Sequence, residues 1–266
     1  MWATRQRAAR SLDPDQTLFV VTRAHERYYT DELVGVRPSQ VLIQPDNKGT
    51  APAILLSLLY LNRLHPDASV VFLPSDHHYV DELGFLDAVH RAFEAADRPT
   101  QPAVLLGASP THAEVGYGWI EPGPLVETTG GNGIFRVERF WEKPTLRVAQ
   151  ALLNLGCLWN TFVMVGRVRT FLDMIQKATP QLYGAFHRRE TAFGRFDVER
   201  LYESLSPADF SRDILERSPA DLGVLNAGSV GWSDLGEPER VVGLMTQLDS
   251  QCDWLKNWQF SQAHAR

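Results

Sequence analysis

The run Val70-Val71-Phe72-Leu73-Pro74-Ser75-Asp76-His77-His78 says more about how this chain folds than any other stretch. Its four leading apolar residues predict a strand buried on both faces, as in a parallel sheet. Pro74 ends that strand, because proline has no N–H for the ladder. Asp76 follows within two residues. In an open α/β sheet such a position lies beyond the carboxyl end of a strand, where ligands bind. A carboxylate there can hold a hard divalent cation or orient a bound group. It can equally cap the next turn, as polar residues after strands often do.

The flanking sequence repeats the alternation of strand and helix. Strands are expected near 17–21, 41–43, 70–73 and 103–106, with helices over 3–12, 26–33, 50–64 and 83–96 between and before them. The helix from Thr50 carries Pro52 in its first turn and is apolar nearly all round, so it is expected to be buried. This order means βαβ units and an α/β fold: a Rossmann-like mixed, mainly parallel sheet flanked by helices. From Gly116 the text changes to glycine-rich turns and short antiparallel strands, including one over 134–141. A helix reaching 155, a strand over 158–165 and a helix over 168–178 follow. Residues 180–220 are weakly patterned, with Ser206-Pro207 as one expected helix start. A strand over 222–225, a glycine-bracketed loop at 231–236 and a helix over 239–248 complete the body. Residues 1–250 read as one domain and 251–266 as a tail.

Composition narrows the partners. The chain has 266 residues and a formal net charge of -6, from 26 basic and 32 acidic side chains. That balance argues against a nucleic-acid surface but not against a small anionic ligand. Two cysteines, Cys157 and Cys252, are too few for a disulfide scaffold, so a reducing, cytoplasmic setting is expected. No apolar run reaches the ~20 residues of a membrane span. The arginines near Met1 are not followed by the apolar stretch of a secretory signal.

Four places collect the chemistry-bearing residues. Asp46-Asn47-Lys48-Gly49-Thr50 precedes a buried helix, where backbone N–H groups and a lysine can meet a phosphate or a base, or simply form a helix-start loop. Asp76 stands beside His77 and His78, yet there is no HExxH and no cysteine cluster for zinc. Glu142-Lys143-Pro144 puts a carboxylate beside an ammonium, suited to sugar hydroxyls and a phosphate, or to solvent. Asp234 lies in Gly231-Trp232-Ser233-Asp234-Leu235-Gly236. If Asp76 and Asp234 converge, they make a hard-cation site of the Mg²⁺ kind, which needs only one or two protein carboxylates plus phosphates. Gly116-Tyr117-Gly118 can admit a ligand close to the backbone or form a turn. Asn160 inside an apolar strand needs a partner. Trp159 reads as core. There is no G-x-S-x-G elbow, no Walker loop and no G-x-G-x-x-G after a first strand.

In order, these segments resemble a known family. Gln44-Pro45, Gly49-Thr50-Ala51-Pro52-Ala53, Leu73-Pro74-Ser75-Asp76-His77, Gly116-Tyr117-Gly118-Trp119-Ile120, Glu142-Lys143-Pro144, Leu158-Trp159-Asn160 and Gly231-Trp232-Ser233-Asp234-Leu235-Gly236 are similar to motifs of the sugar-phosphate nucleotidyltransferases, most closely the mannose-1-phosphate guanylyltransferases (GDP-mannose pyrophosphorylases). The resemblance covers about residues 17 to 248. It implies a cytoplasmic transferase converting GTP and mannose 1-phosphate to GDP-mannose and diphosphate. It also implies Mg²⁺ held by Asp76 and Asp234, with Lys143 on the sugar phosphate. Glu142 and Asn160 would face the sugar, and Gly116 and Tyr117 would border the sugar nucleotide. Thr50, Ala51 and Pro52 would border the guanine. No nucleic acid or membrane partner is implied, and a homo-oligomer is left open.

One part of the family pattern has no counterpart here. Its members begin with a strand and a glycine-rich loop carrying an arginine, which wraps the triphosphate. The opening Met1-Trp2-Ala3-Thr4-Arg5 resembles the helix that comes after that loop. A truncated start is therefore the expectation, with a central strand missing and apolar faces and backbone left unpaired. Two other readings follow: a nucleotidyltransferase for another hexose 1-phosphate, and a catalytically inactive sugar-nucleotide-binding or regulatory subunit.

Overall fold

The computed structural model describes residues 1–97, 102–129, 132–189 and 197–248, with the side chains of 127–129, 132 and 189 left aside. The tail at 251–266 lies outside the described residues.

Helices α1 (Trp2–Ala8), α2 (Glu26–Tyr29), α3 (Thr50–Leu64) and α4 (Glu82–Ala96) alternate with strands β1 (Phe19–Thr22), β2 (Val41–Gln44), β3 (Ser69–Phe72) and β4 (His77–His78). Then come β5 (Ala103–Ala108), β6 (Trp119–Thr129), β7 (Asn132–Trp141), α5 (Leu146–Asn154), β8 (Leu158–Arg167), α6 (Val168–Ala178), α7 (Pro180–Arg189) and α8 (Val198–Ser204). Strands β9 (Leu222–Asn226) and β10 (Ser233–Asp234) and helix α9 (Pro238–Gln247) follow.

The main sheet has the order β3-β8-β5-β9-β7-β6. Strands β3, β5, β6 and β9 run one way and β7 and β8 the other, so the sheet is mixed and its directions are mainly shared. The opposed strands sit between the others, so β5–β9 is its parallel hydrogen-bonded pair among the described residues. Trp119 and Ile120 of β6 also pair with Trp159 and Leu158 of β8, which folds the β6–β7 hairpin back over the sheet. That hairpin is the antiparallel portion the sequence led us to expect.

Strand β5 is buried along its whole length, and its side chains divide by the two-residue period of a strand. Ala103 and Leu105 join Leu55, Leu58, Phe171 and Ile175 on the face covered by α3 and α6. Val104, Leu106 and Ala108 join Phe85, Val89 and Leu152 on the face covered by α4 and α5. Burying each large side chain in these two cores contributes about 1.5–3 kcal/mol relative to exposure. Helix α4 begins where the Asp81 carboxylate accepts the Gly84 N–H at 2.9 Å.

Strands β1 and β2 form a separate parallel pair, with Phe19 opposite Val41 and Thr22 opposite Gln44. Among the described residues, β1 pairs on one side only, with β2, and β3 on one side only, with β8. Helix α1 spans this division. The Arg5 guanidinium donates to the Glu32 carbonyl at 2.6 Å and lies over the Phe19 ring. Thr4 donates to the Pro74 carbonyl, and Arg7 to Glu82 and the His77 carbonyl.

Four local expectations need correction. Strand β3, expected to be buried on both faces as in a parallel sheet, is half-buried along its length, stands at the edge of the main sheet and pairs antiparallel with β8. The helix expected over 26–33 stops at Tyr29 and passes into a short turn at Asp31–Leu33. Ser206-Pro207 does not start a helix. Ala208 donates its N–H to the Lys48 carbonyl and accepts the Ala51 N–H, and this tie holds the segment extended. Helical geometry resumes only at Ser211–Leu215, as a π-turn. The loop at 231–236 contains β10, which pairs antiparallel with β4.

Candidate functional site

The β4–β10 pair decides the centre of the site. Its register sets Asp234 opposite His77, and the Leu235 N–H donates to the Asp76 carbonyl at 2.9 Å. Two acidic residues far apart in sequence thus lie side by side. Asp76 Oδ2 and Asp234 Oδ1 each stand 3.7 Å from the point a Cβ on Gly236 would occupy, so the two oxygens are within twice that distance of each other. Behind them His77 is buried. Its Nδ1 accepts the Trp232 indole N–H at 3.2 Å. Burial, only partly offset by Asp76 and Asp234, pulls its pKa down to about 4, so the ring is neutral at physiological pH. The histidine is a packing and hydrogen-bonding element of the wall.

A cleft of about 440 Å³ opens beside this pair, within the range of small-molecule sites. Gly116, Tyr117, Gly118, Glu142, Lys143, Asn160 and Asp234 all line it. Glu142 follows the end of β7, and Asn160 lies on β8 opposite Gly107 of β5. The Asn160 N–H donates to the Gly118 carbonyl at 2.8 Å, and its side-chain oxygen accepts the Phe162 N–H at 3.1 Å. This supplies the partner that a buried amide requires. At Gly118 the wall is close: an added Cβ would stand 3.0 Å from Glu142 Oε2 and 3.3 Å from Asn160 Cβ. Glycine there lets the carboxylate and the amide close on one spot.

Glu142 is half-buried. That burial, and Asp209 nearby, raise its carboxyl above the usual range, while Lys143 and Arg212 pull the other way. Lys143 and Phe162 are the two non-glycine residues with positive φ among the described residues, at 48° and 58°, and both line the cleft. Such backbone is held only where the surroundings over-determine it, and it clusters at functional sites.

The segment 45–52 lies elsewhere. Thr50, Ala51 and Pro52 are not among the residues that line this cleft. Ala51 and Pro52 are buried, the Ala51 N–H is taken by the Ala208 carbonyl, and Thr50 Oγ1 accepts the Phe210 N–H. Lys48 pairs with Asp46 at 3.2 Å. Trp159 is core, packed among Tyr117, Trp119 and Trp232.

The sequence did not single out Arg240, Glu114, Thr161 and Phe162. Arg240, on α9, lines the cleft and donates to Asp234 Oδ1, while its guanidinium carbon lies 4.4 Å from the Tyr117 ring centre. Its only signal was a lone arginine in an otherwise ordinary helix. Glu114 accepts the Gly116 N–H at 2.7 Å. Burial raises its carboxyl, but that hydrogen bond, His112 and Arg240 together hold it below the usual range.

Asp76 and Asp234 offer hard oxygen donors of the type Mg²⁺ takes. No group of three or more His, Cys, Asp or Glu positioned to hold a metal is present among the described residues. The donor set fits a cation whose remaining ligands come from water or a bound phosphate. No described helix is long and apolar enough to cross a membrane.

Residues 3–251 match the family described as "Nucleotidyl transferase". Over 227 residues the chain is 34% identical to the xanthan biosynthesis protein XanB of Xanthomonas campestris, covering 82% of this chain and 46% of that protein. It is 29% identical to the mannose-1-phosphate guanylyltransferase RfbM of Salmonella typhimurium, covering 85% of this chain and 48% of the relative. The chain thus spans about half the length of these curated relatives. Among solved structures, one titled mannose-1-phosphate geranyltransferase from Thermus thermophilus superposes with a TM-score of 0.76 at 27% identity, covering 88% of this chain and 65% of that one.

Proposed function

Since the chain belongs to the nucleotidyl transferase family, we propose that its cleft joins a nucleoside triphosphate to a hexose 1-phosphate, with GTP and mannose 1-phosphate as the pair. The products would be GDP-mannose and diphosphate. In this reading residues 1–250 are one nucleotidyltransferase unit. The observation that carries it is the convergence of Asp234, Glu142, Lys143 and Asn160 on one cleft from distant parts of the chain, with Asp76 at its edge, facing Asp234 across Gly236. The relatives' printed activities support the choice of base and sugar.

The chemistry asked of these residues is positioning and charge stabilisation, with no covalent side-chain intermediate. A phosphate oxygen of the sugar phosphate attacks the α-phosphorus of the triphosphate in line, and diphosphate leaves. Lys143 holds the sugar phosphate by charge, its strained backbone fixing where the ammonium emerges. Glu142 and Asn160 accept from and donate to sugar hydroxyls beside Gly118. Gly116 and Tyr117 border the sugar nucleotide; Thr50, Ala51 and Pro52, which the resemblance sets at the guanine, lie outside this cleft and could meet the base only beyond its rim. Asp76 and Asp234 would hold Mg²⁺, which when bound supplies charge neutralisation for the phosphates.

The test is diphosphate release by the purified chain over a panel of nucleoside triphosphates and hexose 1-phosphates. Turnover confined to GTP with mannose 1-phosphate supports the reading. Preference for another pair replaces its substrates. GDP-mannose binding without any turnover would replace it with a sugar-nucleotide-binding or regulatory role.

A further inference from the structure

The cleft already contains a cation of its own. Arg240 Nη1 donates to Asp234 Oδ1, and that same oxygen accepts the Gly236 N–H at 3.3 Å. It is also the Asp234 oxygen that faces Asp76 across Gly236. Two donors occupy the lone pairs through which Asp234 would share a metal with Asp76.

The arginine is built into this place from three further sides. Its guanidinium lies on the Tyr117 ring, a cation–π contact. Its Nη2 is 4.0 Å from Glu114 Oε1, whose carboxylate is itself fixed by the Gly116 N–H. The same Nη2 occupies the space a Cβ on residue 116 would need, so glycine at 116 is matched to Arg240. Local helix energetics do not explain the residue. Arg240 sits in the first turn of α9, where the helix dipole favours anions. The tertiary partners Asp234, Glu114 and Tyr117 outweigh that.

We propose that Arg240 is the resident counter-cation of Asp234, and that a divalent cation bridges Asp76 and Asp234 only by displacing it. This rests on the reading of the two aspartates as cation ligands. Displacement frees the guanidinium, which has five N–H donors and no acceptor, to turn toward a phosphate in the same cleft. It also uncovers the backbone of Gly116. Arg240 therefore couples cation entry to opening of the ligand surface.

The experiment titrates Mn²⁺ into the full chain and reads the free-ion signal by electron paramagnetic resonance. No nucleotide or turnover is involved. Arg240→Met keeps the alkyl stem on Tyr117 and removes the charge. It is expected to bind Mn²⁺ about tenfold more tightly than the wild type, the size of one charge-assisted hydrogen bond no longer opposed. The gain should vanish in Arg240→Met combined with Asp234→Asn. Arg240→Gln serves in the same role if the Met variant loses its helical dichroism. Equal, measurable affinity in wild type and variant would overturn the role of Arg240 and leave the aspartate site standing. A gain that survives Asp234→Asn would overturn it too, because the effect would then be general charge. No binding to any variant would remove both the inference and the cation reading beneath it.

Discussion

At the scale of single residues, the cleft depends on side chains with little freedom to be anything else. Asp76 is exposed and its carboxylate faces Asp234. Asp76→Ala is expected to cut turnover by about 10²-fold or more while changing mannose 1-phosphate binding little, as for groups that act on developing charge. Lys143→Ala should do the reverse, raising the dissociation constant of the sugar phosphate about tenfold. Initial-rate kinetics beside calorimetric titration separates the two, and equal losses in both quantities would argue against these roles. Glu142 gives a prediction about stability. Its carboxyl is raised in the folded state, so the ionised form is held at a cost whenever the pH is above that folded value. Glu142→Gln removes the cost. The variant should melt higher than the wild type at neutral pH. The difference should shrink as the pH falls through the raised carboxyl value and vanish below the unfolded one. Thermal melts across that range check it, and a constant difference would contradict it.

At the scale of elements, short ties between distant segments set the geometry. The β4–β10 pairing is only two residues long on each side, yet it brings Asp76 to Asp234. Gly49 performs a similar service at the start of α3. It holds φ 87° and ψ -177°, and a Cβ there would run into the Ala208 carbonyl. That carbonyl is the acceptor of the Ala51 N–H. Gly49→Ala should therefore cost about 1–3 kcal/mol or more in denaturant unfolding, through both backbone strain and the broken tie. A change below about 0.5 kcal/mol would show that the segment at 208–210 does not lock α3. Helix α1 is the third tie. Arg7, nearly fully buried, pairs with Glu82 at 3.2 Å and stacks on Tyr79 at 4.8 Å, which fastens β4 from behind.

At the scale of the whole molecule, the sheet is divided between β1 and β3. The main sheet carries two closed cores, one on each face. The β1–β2 pair has half-exposed Val20 and Ile43 and is joined to the rest by Arg5 of α1, by Leu42 against the core, and by α8 through Tyr202–Gln44 and Arg23–Glu199. Stability should follow that difference. In native-state hydrogen exchange, the amides of β1 and β2 are expected to exchange at least ~10²-fold faster than those of β5 and β9, because opening the pair exposes little core. Equal protection would mean that both sheets unfold as one unit.

Local pattern determined much of this protein. Apolar runs bounded by turn residues placed β1, β2, β3, β5, β8 and β9 within a few residues, and the glycine-bracketed Asp234 falls on the lining of the cleft. These signals are short-range: burial on both faces, a missing N–H, a cap. Strand direction was less legible, since antiparallel insertion of β8 between β3 and β5 is settled by packing of residues about fifty to a hundred positions apart. The failed helix start at Ser206-Pro207 has the same origin, because a backbone tie to Lys48 and Ala51 outweighs a local preference. The positive φ of Lys143 and Phe162 and the pairing of Arg240 with Asp234 belong wholly to the tertiary structure. A charge on a helix has no sequence mark for the partner it will meet, because that partner is chosen by where the chain returns in space.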